Sequence, residues 1–186
     1  GRNGHCYGVI QPATRGNNTL HRAQWGAADD PQFALEIARK IVAAKLRNSA
    51  VVLRRLNRTY SRQALEVTAT KLSRAADGCK LAVSLDALRG IEGSAAAATF
   101  TAWRAVLPVE LGFNERVARP APDPVNALLS LGYTLLHQNV SAFLQGRGLD
   151  PHIGLLHSAG GTHHALASDV MEPFRAPLVD ALVLDF

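Results

Sequence analysis

Cysteine is scarce in this chain: Cys6 and Cys79 stand far apart and match no metal or redox spacing. A small disulfide scaffold is thereby excluded, and a reducing, cytoplasmic setting is the simpler expectation. Long apolar runs are missing as well. No stretch reaches the length of a membrane span, and no signal-peptide pattern opens the chain, so no membrane partner is expected. Aromatic residues make up only 6%, with a single methionine. Charge of one sign does not dominate either. Twenty Lys and Arg face fifteen Asp and Glu, a net charge of +5, which is compatible with a polyanionic partner without requiring one. The basic set is mostly arginine, which favours phosphate recognition. The opening Gly1-Arg2-Asn3-Gly4 carries no initiator methionine and reads as a turn entered mid-protein, so an upstream region is expected.

What is present is 186 residues at 47% hydrophobic content, rich in alanine and leucine, enough to bury one sizeable core. Residues 5–10 read as one short strand, with nothing beside it to pair with. Residues 11–28 read as a polar connector carrying Arg15, His21, Arg22 and Gln24. Asp30-Pro31 then opens a helix, with an N-cap before proline at the first helical position. Its stripe of Phe33, Ile37, Ile41 and Val42 continues to about Asn57, with Asn48-Ser49 as a weak point and Lys40, Lys45 and Arg47 assigned to the other side. Arg54, Arg55, Arg58 and Arg62 crowd its end, as the helix dipole favours. Ser61 is expected to cap a second helix ending at Asp77-Gly78, and Ser84 a third, from about Leu85 to Leu107. Residues 108–123 read as a long irregular loop with Arg116 and Arg119. Asp123-Pro124 opens a fourth helix whose apolar face (Leu128, Leu129, Leu135, Leu136, Phe143) marks it as the central one, ended by Gly146-Arg147-Gly148. The expected fold is all-α: a multi-helix domain over residues 29–186, preceded in residues 1–28 by a strand and linker left from a β-rich domain.

Chemistry concentrates in residues 155–177, LLHSAGGTHHALASDVMEPFRAP. An apolar run delivers His157 into a Ser158-Ala159-Gly160-Gly161 loop, and the helix that follows carries Asp169 and Glu172. Three residues apart, those carboxylates share a helix face with Cβ atoms roughly 5–6 Å apart. Their neighbours Leu166, Val170, Met171 and Phe174 are apolar, so the charges need compensation. Pro173 removes a helical N–H and crowds the Asp169 carbonyl, so a kink or break is expected there. Alone, a histidine after an apolar run is a satisfied core residue, and an Asp/Glu pair is a solvated helix face. Their conjunction with a glycine hinge, a proline break and Arg175 favours a site.

A third acid comes from the helix Gly90-Ile91-Glu92-Gly93-Ser94, where two glycines cost about 1 kcal/mol each against alanine. Close approach of another element or a ligand to that backbone is the usual compensation, and it favours a ligand role for Glu92. Glu92, His157 and Asp169 or Glu172 form a thiolate-free set suited to Mg²⁺ or Mn²⁺. Such an ion serves phosphoryl transfer by polarising a phosphate oxygen and offsetting transition-state charge. On geometry alone Arg175 has two readings, pairing with a carboxylate or clamping a phosphate.

The strings LRGIEGSAAAATFTAW, RPAPDPVNALLSLGYTLL, GLDPHIGLLH and LASDVMEPFRAPLVD resemble, in order and spacing, the CRISPR-associated protein one family, the integrase of CRISPR adaptation. RNGHCYGVI and HRAQWGAADDPQFALEIARKIVAAKLRN resemble that family at the exit from its N-terminal β domain. The resemblance implies a prokaryotic, divalent-metal-dependent DNA endonuclease and integrase. Such an enzyme joins 3′-hydroxyl ends of captured spacer DNA to the CRISPR repeat by transesterification. It implies Glu92, His157 and Glu172 as ligands of Mg²⁺ or Mn²⁺, with Asp169 as a neighbouring catalytic acid holding a metal-bound water or positioning the nucleophile. Arg22, Arg116, Arg119, His163, His164 and Arg175 are the candidate contacts to double-stranded DNA. His137 and His152, with His163 and His164, are not expected among the ligands. A homodimer or higher homo-oligomer and CRISPR-associated protein two are the implied partners. The competing expectation is a basic helical module that binds DNA without competent metal chemistry.

Overall fold

The computed structural model describes residues 18–157 and 163–185. The expected strand at 5–10 and the glycine loop at 158–161 lie outside these residues. Every regular element among the described residues is helical, as expected of an all-α chain.

Helix α1 (Asn18–Asp29) occupies much of the stretch expected to be a connector. Gln24 fastens it to the turn after the fifth helix: its Nε2 donates to the Asp150 carbonyl at 2.8 Å, and its Oε1 accepts from the Asp150 N–H at 2.9 Å. Helix α2 (Pro31–Tyr60) starts as expected, with the Asp30 carboxylate accepting from the backbone N–H groups of Gln32 and Phe33. It runs without a break at Asn48-Ser49. Ala38, Val42, Leu46, Ala50 and Leu53 recur at three- and four-residue spacing and are at most 2% exposed. That stripe packs against α3 (Gln63–Gly78), α4 (Leu85–Trp103) and α6 (Ala165–Arg175), which makes α2 the central helix.

Centrality was expected of α5 (Pro124–Gly146), which instead packs chiefly on α6 and the turn after it. Leu128, Leu131, Leu135 and Phe143 are exposed on its outer side. The apolar face of α5 is therefore wider than the surface available to cover it. Ser61 does not cap α3. It closes α2 in the left-handed region at φ 49°, and Arg62 stands at the N-cap of α3 with no side-chain bond. Ser84 caps α4 through the Ala87 N–H as expected, but α4 ends at Trp103.

The long loop before α5 is held down by side chains. The Asn126 carboxamide accepts from the Val117 N–H at 2.9 Å and donates to the Glu115 carbonyl at 2.8 Å. Arg116 donates to the Val117 carbonyl, to Asn126 Oδ1 and to Ser130 Oγ.

The expected break at Pro173 does not occur; α6 continues to Arg175, and the irregularity falls one turn later as a π turn, Ala176–Asp180, leading into α7 (Ala181–Leu184). Two prolines explain the shift. Pro177 stands four residues after Pro173 and has no N–H, so the Pro173 carbonyl loses its helical donor. Asn48 of α2 supplies one, its Nδ2 lying 2.7 Å from that oxygen. A side chain from the central helix thus replaces a missing backbone bond and fixes α6 against α2.

Candidate metal centre

Asp169 is completely buried and saturated with donors. Its Oδ2 accepts from the backbone N–H groups of Leu155 and Leu156, and its Oδ1 from that of His157 at 2.9 Å. The His157 ring adds a fourth bond, Nδ1 lying 2.7 Å from Oδ1. A carboxylate only accepts, so Nδ1 carries the proton there and Nε2 is the nitrogen left for other use. Asp169 therefore builds the His157 loop and sets the imidazole tautomer. Its four accepted bonds all come from the protein itself, so either role expected of it, holding a metal-bound water or positioning the nucleophile, would be exerted through the His157 loop that it builds.

The same loop is clamped from two other sides. Arg89 of α4 donates to the Leu156 carbonyl at 2.6 Å. Gly154 lies so close to α6 that a Cβ there would stand 2.7 Å from the Ala165 Cβ and from the His157 carbonyl oxygen. A glycine is required by that contact.

Glu172, one turn further along α6, is 3% exposed and lies between two cations. Its Oε1 accepts from Arg175 at 2.9 Å, and its Oε2 lies 2.5 Å from Lys45 Nζ. The Lys45 contact is an ion pair without hydrogen-bond alignment, so Oε2 remains a buried acceptor with no directed donor. Burial pushes the Glu172 carboxyl up, but Lys45 and Arg175 outweigh it and hold the group below the usual carboxylate range.

Lys45 Nζ also lies 2.5 Å from Glu92 Oε1. The two carboxylate oxygens, from α4 and α6, therefore converge on one point and stand no more than about 5 Å apart. His157 lies within the field of both. The bond to Asp169 raises its pKa against the opposing effect of burial, and the charges of Asp169, Glu172 and Glu92 raise it further.

Lys45 was missed by sequence reading, which placed it on the outer face of α2. Its spacing did carry a signal, since it follows the buried Val42 by three residues and Ala38 by seven. The glycines around Glu92 were expected to admit either another element or a ligand, and the first of these is not what they serve. A Cβ at Gly90 or Gly93 would meet nothing within 4 Å, so no neighbouring element among the described residues approaches there. The compensation for the Glu92 charge is Lys45, not a narrow backbone contact.

Of the two readings for Arg175, the structure shows the carboxylate pair, with the guanidinium also 4.0 Å above the Tyr133 ring. The Tyr133 hydroxyl in turn donates to Asp180 at 2.5 Å. The DNA-contact candidates separate. Arg22 on α1 and Arg119 in the loop are exposed, whereas the Arg116 donors are engaged in holding the loop to α5. His163 is exposed, with Nε2 3.0 Å from Ser168 Oγ. His164 stands at the start of α6, its Nδ1 2.8 Å from Ser141 Oγ, and packs against His137 and His152. Burial lowers the pKa of both His137 and His164.

Among the described residues, no group of three or more His, Cys, Asp or Glu stands in metal-holding geometry. The donor chemistry nevertheless fits a divalent ion: two converging carboxylates, one of them under-bonded, and an oriented imidazole with a free nitrogen. What fills the point of convergence is the Lys45 ammonium.

The family described as CRISPR associated protein Cas1 matches residues 1–186. CRISPR-associated endonuclease Cas1 3 of Thermus thermophilus is 41% identical over 181 residues, covering 97% of this chain and 52% of the relative. A chain of a structure titled partial Cas6-RT-Cas1--Cas2 complex superposes with a TM-score of 0.84 at 35% identity, over 95% of this chain and 52% of its own. A casposase bound to integration product gives a TM-score of 0.82 at 30% identity, over 98% of this chain and 51% of its own. The chain thus spans about half the length of these relatives. The match over every residue, together with the shared helical fold, shows that the chain belongs to the Cas1 family.

Proposed function

We propose that this chain forms the catalytic helical part of a divalent-metal-dependent DNA integrase and endonuclease of CRISPR adaptation. In this reading it joins 3′-hydroxyl ends of captured DNA to the CRISPR repeat by transesterification in a prokaryotic cytoplasm. The observation that carries the reading is the convergence of Glu92 and Glu172 on one point beside a histidine whose tautomer Asp169 fixes.

Glu92, Glu172 and His157 Nε2 are the groups that would hold Mg²⁺ or Mn²⁺. Such an ion, when bound, would offset the negative charge on an oxygen of the phosphate whose phosphorus the 3′-hydroxyl attacks. The chain's own residues do the rest. Asp169 keeps the Nδ1 proton in place, so Nε2 is the ring nitrogen that would meet the ion, releasing its own proton as the ion binds. Arg89 and Gly154 fix the loop that carries the ring, and Lys45 and Arg175 together hold the buried Glu172 ionised. Arg22, Arg119, His163 and His164 are the surface groups proposed to meet the DNA; Arg116 orders the loop that presents Arg119. The names of the superposed structures support DNA and a Cas2-type protein as partners, and a homo-oligomeric assembly belongs to the same proposal.

The deciding experiment is a strand-joining assay with a duplex bearing free 3′-hydroxyl ends and a supercoiled plasmid carrying a repeat. Joining should require Mg²⁺ or Mn²⁺, vanish with a 3′-blocked duplex, and fall at least about a hundredfold for His157→Ala. Binding of DNA with no metal-dependent product would instead favour a non-catalytic binding module.

A further inference from the structure

We infer that Lys45 is a resident counter-cation of the metal seat: its ammonium occupies the point between Glu92 and Glu172, and a divalent ion binds only by displacing it. The inference rests on the metal reading above and adds a competitor to it. An ammonium nitrogen 2.5 Å from both Glu92 Oε1 and Glu172 Oε2 fills the gap between the two carboxylates, so an ion held by both would compete with it for that space. A second positive centre in contact with the first would also meet like-charge repulsion in a site where little water intervenes.

The surroundings allow the side chain to leave without moving the helices. Asn48, one turn from Lys45, fixes α2 to the Pro173 carbonyl, so the spacing of α2 and α6 does not depend on Lys45. The lysine stem is long and flexible, and the side chain as a whole is 14% exposed. Beside it lies a cavity of about 40 Å³ lined by Lys45, Ser49, Ala95, Tyr133, Arg175 and Asp180. Asp180 is the acceptor waiting at its wall. A buried carboxylate bonded to Tyr133, it already feels the Lys45 charge. Ser49 and Ala95, both small, share the lining of that cavity with Lys45 and Asp180.

The resident cation has two consequences. The metal-free protein avoids two facing carboxylates with no charge between them. The apparent affinity for the ion is lowered by the fraction of molecules in which Lys45 still holds the seat.

The test uses Mg²⁺ alone as the probe, titrated calorimetrically into the parent, Lys45→Met and Glu92→Gln proteins. Lys45→Met keeps the length and removes the charge, and should bind Mg²⁺ about tenfold tighter or more. Equal or weaker binding overturns the inference. A second readout uses the parent protein, so it does not depend on the variant folding. The ¹⁵N signal of the Lys45 ammonium, identified by its loss in Lys45→Arg, should shift or disappear on Mg²⁺ addition with the midpoint of the heat of binding. A signal unchanged at saturating Mg²⁺, while binding still depends on Glu92, overturns this inference and leaves the metal reading standing. Parent protein that binds no Mg²⁺, or binds it equally well as Glu92→Gln, overturns both.

Discussion

The two carboxylates of α6 stand three residues apart on one helix and are almost equally buried, yet they do opposite work. Asp169 accepts four directed bonds, three from backbone N–H groups and one from an imidazole, and has nothing left to offer. Glu172 is surrounded by charge but leaves Oε2 without a directed donor. Burial alone therefore does not mark a working acid. The number of directed bonds it already accepts separates a group that builds the site from one that can release a partner and bind something else.

The largest effect should come from breaking the Glu172 side of the comparison. Glu172→Gln keeps the shape, so strand joining should fall by about a hundredfold or more while the helical circular-dichroism spectrum is retained. If joining survives, the converging carboxylates are not the working pair. On the other side, Asp169→Ala leaves three backbone N–H groups unpaired in the interior and should cost roughly 3 kcal/mol of stability or more. Urea unfolding measures it, and a loss below about 1 kcal/mol would mean that water reaches the loop.

A smaller effect separates the end of α6 from its start. Asn48→Ala removes the donor to the Pro173 carbonyl and should cost about 1–2 kcal/mol in the same unfolding assay. Activity should fall less than in Glu172→Gln, because no candidate ligand is removed.

The smallest and slowest-varying effect is in pH. Burial, partly offset by the Tyr133 bond and Arg175, pushes the Asp180 carboxyl up from 3.8 to about 6. Folding then takes up a proton between those values, so this group's contribution is complete below the lower one and is lost as pH rises through the upper one. The parent should gain stability relative to Asp180→Asn as pH falls from 7 to 5. Parallel curves for the two proteins would show that Asp180 titrates normally.

Much of the helical plan was legible in order. Asp30, Ser84 and Asp123 cap where their side chains and the following residues said they would, because capping involves only a few neighbouring residues. The misreadings share a cause. Pro173 predicted a break, but the helix runs through it to Arg175, and the carbonyl that Pro177 leaves without a helical donor is met by Asn48, 125 residues away in sequence. The width of the α5 stripe predicted centrality, but burial depends on what is available to cover it. Arg116 reads as a candidate DNA contact in the loop, and its place there is set by bonds to Val117, Asn126 and Ser130 that only the fold brings together.

The sequence by itself determined helices α2 to α6, three of their caps, and the set of acids and the histidine from which a site can be made, since each depends on local spacing and side-chain chemistry. Only the tertiary structure decided which acid is structural, which is under-bonded, and that Lys45 stands between Glu92 and Glu172. The latter two groups lie on different helices, and Lys45 is 47 residues from Glu92. Spacing along α2 could have put Lys45 on the inner face, but electrostatic compensation acts through space, so its two partners could not be read from that spacing.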